Sequence, residues 1–177
     1  MRRAVVVGCA SVAAVGAIAC GGSNDRPRER VDEHAGRFRE VAIGNRAAEV
    51  RRKLGPPQPH DPEKPLPSGE SIIPVLSADG DDPGMAYDGA FYAIKDGRVS
   101  AIIAYGDDAT TTDGVRIGDS LDDAEKAYRD ADCHDAEPLA DPSRDAYCEV
   151  RTAPSLWLWL GGDPVDNIVV SIVPPSG

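Results

Sequence analysis

Three things are in short supply in this chain. Cationic side chains are outnumbered, 19 Lys and Arg against 30 Asp and Glu, which leaves a formal charge of −11 at pH 7. A surface this acidic repels phosphate backbones and argues against a nucleic-acid partner. Cysteine is scarce, four in 177 residues, and no two of them stand as CxxC. No apolar run reaches the ~20 residues that a membrane-spanning helix needs. Catalytic signatures are missing too: there is no G-x-S-x-G elbow, and no P-loop, Rossmann fingerprint or HExxH. The three histidines, at positions 34, 60 and 134, share no spacing, and His134 has no partner at ligand spacing. No catalytic residue, metal or cofactor is therefore expected, and the chain is not expected to be an enzyme.

What is present begins at the amino terminus. Met1-Arg2-Arg3 precedes an uncharged stretch from Ala4 to Ala19, the basic-then-apolar layout of a secretory signal. The stretch ends Ala17-Ile18-Ala19-Cys20-Gly21-Gly22. Small residues before the cut and a Cys at the first mature position resemble a bacterial lipobox. Residues 1–19 are thus expected to be a lipoprotein signal peptide and Cys20 the lipidated residue. The alternative is an ordinary signal that leaves Cys20 a free thiol. Two acyl chains on Cys20 would anchor the protein stably to a membrane, placing it in the bacterial cell envelope, outside the cytoplasm. Residues 20–38 read as its flexible tether, with Arg26, Arg28, Arg30 and Arg37 interspersed among Glu29, Asp32 and Glu33. His34 in this tether and His60 in a proline-rich loop read as solvated.

Charge is uneven along the mature chain. Residues 21–55 hold nine Lys or Arg and six Asp or Glu, a net of +3, whereas residues 56–177 hold eight and 24, a net of −16. Of the cysteines, Cys9 lies in the signal and Cys20 takes the lipid. Outside the cytoplasm the remaining pair, Cys133 and Cys148, is expected to form a disulfide. Closing that loop stabilises by about 3 kcal/mol in the chain-entropy picture.

The chain also contains a repeated pattern. Val41-Ala42-Ile43-Gly44-Asn45 and Val115-Arg116-Ile117-Gly118-Asp119 each lead an apolar alternation into Gly and a helix-capping type of residue. Helical spacing follows in both, at Ala47, Val50 and Leu54, and at Leu121, Ala124 and Tyr128. Ser120 and Asp123 have capping-box spacing. Gly55-Pro56-Pro57 ends the first helix. Six prolines between Gly55 and Pro67 read as a stiff connection, or as a polyproline II ligand for an aromatic groove. Strand–turn–strand patterns close both units: Phe91–Ile94 and Val99–Ile103 about Asp96-Gly97, then Leu156–Leu160 and Ile168–Val173. Shorter strands are predicted at Ile72–Leu76 and Ala146–Arg151.

A helix entered by Ile43-Gly44-Asn45 and ended by Leu54-Gly55-Pro56-Pro57, followed by an antiparallel sheet, resembles the SmpA/OmlA small lipoproteins with the BamE-like fold. Its recurrence from Ile117-Gly118-Asp119-Ser120 through Tyr128 resembles the tandem architecture of the β-lactamase inhibitory proteins, as does the placement of Cys133 and Cys148. The resemblance implies an α+β fold of two tandem helix-plus-antiparallel-sheet repeats, at residues 39–108 and 109–177. It also implies a non-catalytic role, in which a protein partner in the envelope is bound through the sheet. Inhibition of an extracytoplasmic enzyme such as a β-lactamase, or binding of a small ligand, are the alternatives.

Two local features bear on a site. Asp79-Gly80-Asp81-Asp82-Pro83-Gly84 begins like a calcium loop, but Ala90 stands where a bidentate Glu is required. In Leu156-Trp157-Leu158-Trp159-Leu160, alternation puts the leucines on one face and both tryptophans on the other. Either Trp157 and Trp159, with Tyr92, form an exposed partner-binding patch, or another part of the chain covers them.

Overall fold

A computed structural model describes residues 29–59, 84–135 and 146–172. The signal segment, Cys20, the Ile72–Leu76 strand, His60, most of the proline-rich loop and residues 79–83 lie outside the described residues. In chain order the elements are β1 (Glu29–Asp32), β2 (Arg37–Phe38), β3 (Val41–Ala42), α1 (Ala47–Leu54), β4 (Met85–Tyr87), β5 (Ala90–Lys95) and β6 (Arg98–Ala104). There follow β7 (Ala109–Thr111), α2 (Leu121–Ala127), β8 (Asp132–His134), β9 (Tyr147–Ala153), β10 (Leu156–Gly161) and β11 (Asn167–Ser171).

The architecture is mostly β, which overturns the expected α+β tandem of helix-plus-sheet repeats. Among the described residues, eleven strands form two sheets of seven and four, and two short helices make up only 14%. The apolar spacing that predicted helices is present, yet each helix runs only about two turns and buries little: Val50 from α1, Leu121 and Ala124 from α2. Two short helices cannot cover a sheet of this size. A second sheet does so instead, in the order β3-β2-β1-β7. Residues 29–38, expected to be tether, supply two of its strands. Val31 and Phe38 anchor them in the core, and β1 runs parallel to β7, with Glu29 opposite Ala109 and Val31 opposite Thr111. Two isolated apolar side chains in a highly charged stretch carry no periodic signal, so this sheet left no pattern to read.

The turns before the helices differ in detail from the capping expected of Asn45 and Asp119. Each side chain folds back to accept a hydrogen bond from the amide three residues earlier, Ala42 N to Asn45 Oδ1 at 3.1 Å and Arg116 N to Asp119 Oδ2 at 2.9 Å. The N-caps are the next residues, Arg46 and Ser120. Ser120 Oγ accepts from Asp123 N, and Glu49 accepts from the Arg46 amide. Both motifs are thus turns closed by a side chain that reaches back to the amide three residues earlier and hands the chain to a cap.

The seven-stranded sheet is antiparallel throughout, in the order β4-β5-β6-β11-β10-β9-β8. Its β5–β6 hairpin turns through Asp96 and Gly97, both at positive φ (53° and 71°), the backbone that a tight two-residue connection demands. Cross-strand register sorts the side chains into rows. One inner row runs Met85, Tyr92, Ile102, Val170, Leu158, Val150. These residues pack with Val31, Phe38, Val41, Val50, Leu121 and Ala124 into the main core. An outer row runs Ala86, Phe91, Ile103, Val169, Trp159, Glu149, Asp132. From Ala86 to Val169 this row is buried in a second apolar cluster, to which Trp159 adds its edge. Beyond Trp159 the outer face turns polar.

Candidate functional site

The leucine–tryptophan alternation of β10 holds: Leu158 and Leu160 are fully buried in the main core, and Trp157 and Trp159 lie on the outer face, each partly buried. Trp157 sits between Ser171 of β11 and Arg151 of β9. The Arg151 guanidinium stands 5.8 Å from the Trp157 ring centroid, a cation–π distance. Trp159 lies 4.5 Å from the ring of Tyr147, which stacks at 4.7 Å on His134. The aromatic strip therefore steps diagonally from β10 through β9 to the edge strand β8.

Tyr92 does not belong to it. The residue is 0% exposed, faces the main core, meets Tyr87 edge-on at 5.7 Å and approaches the Phe38 carbonyl at 3.5 Å. Burial pushes its phenol far above the ordinary tyrosine range. The expected grouping of Tyr92 with the tryptophans fails on parity, since Tyr92 shares its row with Leu158. Of the residues that do join the tryptophans, Tyr147 and Arg151 could have been placed from β9's own alternation, whereas His134 comes from β8. Cys148 and Val150 point inward, so Tyr147, Glu149 and Arg151 point outward.

Among the described residues, three buried polar atoms at this end of the sheet have no hydrogen-bond partner: Glu149 Oε2, Trp159 Nε1 and Asn167 Oδ1. Each such group costs about 1–3 kcal/mol relative to a satisfied one. Asn167 is pinned above Gly161, where an added Cβ would come within 2.6 Å of its Nδ2. Close by, Asp132, His134 and Glu149 bring one ligand-type atom each to within 4.8 Å of one another. On the reverse of the same strand pair, Cys133 and Cys148 are bonded to each other as direct cross-strand partners.

A second cluster lies where the two sheets and α2 meet. Glu33, 0% exposed, accepts from Thr112 N at 2.8 Å, Asp113 N at 3.2 Å and Tyr128 Oη at 2.7 Å. Its backbone carbonyl accepts from Thr152 Oγ1 at 2.9 Å. The carboxylate thus ties the chain just after β1 to the turn after β7 and to the end of α2, and the backbone carbonyl adds a tie to β9. Burial, reinforced by the Glu33 charge, pushes the Tyr128 phenol well up. His34, expected to be a solvated tether residue, is about half exposed but is held at this node, with Nε2 3.3 Å from Asp113 Oδ2 and 3.9 Å from Glu33 Oε1, and with Nδ1 3.4 Å from the Thr152 carbonyl. Partial burial opposes its charge. The Thr152 carbonyl, Glu33 and Asp113 outweigh that and raise its pKa above 6.5. Nothing in the spacing of Glu33 along the chain announces this role.

No protein family, curated protein or solved structure matches the chain. The likeness to the small lipoproteins therefore rests on short sequence motifs alone. Of the two clusters, the Glu33 node is satisfied from within and reads as structural. The aromatic strip with its unpartnered polar atoms remains open.

Proposed function

We propose that this chain is an exported, lipid-anchored protein of the bacterial envelope that acts without catalysis, binding a partner protein through the aromatic strip at the β8–β10 end of its large sheet. The observation that carries the reading is the division of the outer face. Phe91, Ile103 and Val169 are closed off, at 6%, 2% and 2% exposure. Trp157, Tyr147 and Trp159 stay partly open, and Arg151 and His134 are exposed. Trp, Tyr and Arg are the residue types that dominate protein–protein binding energy when they are clustered and partly sheltered. Burial on one half of the face therefore leaves the other half as the binding surface.

Cross-linked capture from an envelope extract tests this, with residues 21–177 as bait beside a Trp157→Ala/Trp159→Ala version whose fold is verified by circular dichroism. A partner held by the first bait and lost by the second supports the reading. A partner held equally by both, or capture by neither, overturns it. Lipidation is tested separately by metabolic labelling with palmitate, which Cys20→Ser should abolish.

A further inference from the structure

We propose that Asp132, His134 and Glu149 form a zinc-type divalent-cation site on the outer face of the β8–β9 ribbon. The three residues come together through strand geometry. Asp132 and His134 are two apart on β8 and so share a face, and Glu149 of β9 lies directly across from Asp132. His134 Nε2 is 3.5 Å from Asp132 Oδ1, and all three ligand-type atoms lie within 4.8 Å of each other. Around a tetrahedral zinc with bonds of about 2.0–2.1 Å, ligand atoms stand about 3.3 Å apart. Small movements of the exposed Asp132 and His134 side chains close that gap. This set was missed in the sequence because the third ligand lies 15 positions beyond His134, and only the strand pairing brings it across.

Two further observations point to a cation here. Carboxylates placed directly opposite each other on neighbouring strands repel, and the Asp132–Glu149 pair holds that arrangement. Glu149 also carries a buried oxygen, Oε2, with no hydrogen-bond donor among the described residues, a costly condition that a cation bound by that carboxylate relieves. The site is also preorganised from behind. Cys133 opposite Cys148 is the pair between Asp132–Glu149 and His134–Tyr147, so the disulfide locks the register that sets the three ligands side by side. The His134 ring is held against Tyr147 at 4.7 Å. An imidazole nitrogen with two carboxylates favours zinc over calcium, which takes six to eight oxygens. Three protein ligands leave a coordination position open to water. The inference does not depend on the partner-binding reading, because the ion would be held by the chain alone.

The test is a calorimetric titration of the full chain, its free thiols alkylated, with Zn2+ alone. Parallel titrations use His134→Gln, Glu149→Gln and, as a control at the other histidine cluster, His34→Gln. One equivalent should bind to the wild type and to His34→Gln with equal affinity, and at least tenfold more weakly to each of the other two. Replacing both Cys133 and Cys148 by Ala should also weaken binding, because the register loosens. Binding unaffected by His134→Gln and Glu149→Gln, binding lost in His34→Gln, or no binding below millimolar Zn2+ would each overturn the proposal. Trp159 supplies a second readout that folding alone does not move. In a Trp157→Phe background its emission should be quenched by Cu2+ at the triad, and no longer quenched once His134 is Gln.

Discussion

Trp159 and Glu149 face each other across β10 and β9, and each leaves a buried polar atom without a partner, Nε1 on one and Oε2 on the other. In chelator-treated protein, Glu149→Leu should therefore stabilise the fold by about 1 kcal/mol, by removing an unsatisfied oxygen and a like charge facing Asp132. Urea unfolding of the two forms measures this. A loss of stability would show that the carboxylate is already compensated.

The two faces of β10 should differ sharply in their cost. Leu158 is fully buried in the main core, and Leu158→Ala should lose about 2–5 kcal/mol. Trp157 is only partly buried on the outer face, and Trp157→Ala should lose about 1 kcal/mol. Equal losses in denaturant unfolding would mean that the tryptophan face is core.

Tyr128→Phe removes one of the three donors to the fully buried Glu33 carboxylate. The expected loss is about 1–3 kcal/mol, since the oxygen is left short of a partner where water does not reach. A change below about 0.5 kcal/mol in the same unfolding assay would refute a structural role for the hydroxyl.

His34 makes stability depend on pH. Its folded pKa lies above the ordinary 6.5, so the native state holds this proton more tightly than the unfolded chain does. The stabilisation is complete below pH 6.5 and disappears as pH rises through the folded value. Unfolding midpoints of wild type and His34→Gln should thus differ most in mild acid and converge in mild alkali. His34 and Asp113 are both about half exposed, so the gap should also shrink in high salt. A gap that widens as pH rises would contradict the assigned geometry.

Features governed by neighbours in sequence could be read before the structure was known. The inward Leu158 and Leu160 and the Asp96–Gly97 turn depend on a few adjacent residues, and the Cys133–Cys148 pair followed from counting cysteines. Tyr92 shows where that ends. Its place within β5 was legible, but the face it shares depends on register through Ile102 and Val170 to Leu158, across three strand pairings. The small sheet depends on β1 meeting β7 in parallel, 80 positions along the chain, with no alternation in Glu29–Asp32 to signal it. Helical spacing of 3.6 residues shows clearly even in two turns, whereas strands buried on both faces, such as β6 and β11, show little alternation.

The parallel pairing of Glu29 with Ala109 also moves the start of the folded body ahead of residue 39, where the first repeat was expected to begin. A version trimmed to residue 39 would lose β1 and β2, and with them Val31 and Phe38 from the core and the buried Glu33 carboxylate that accepts from Thr112 N. Such trimming would open a hole under the large sheet instead of removing a dispensable arm.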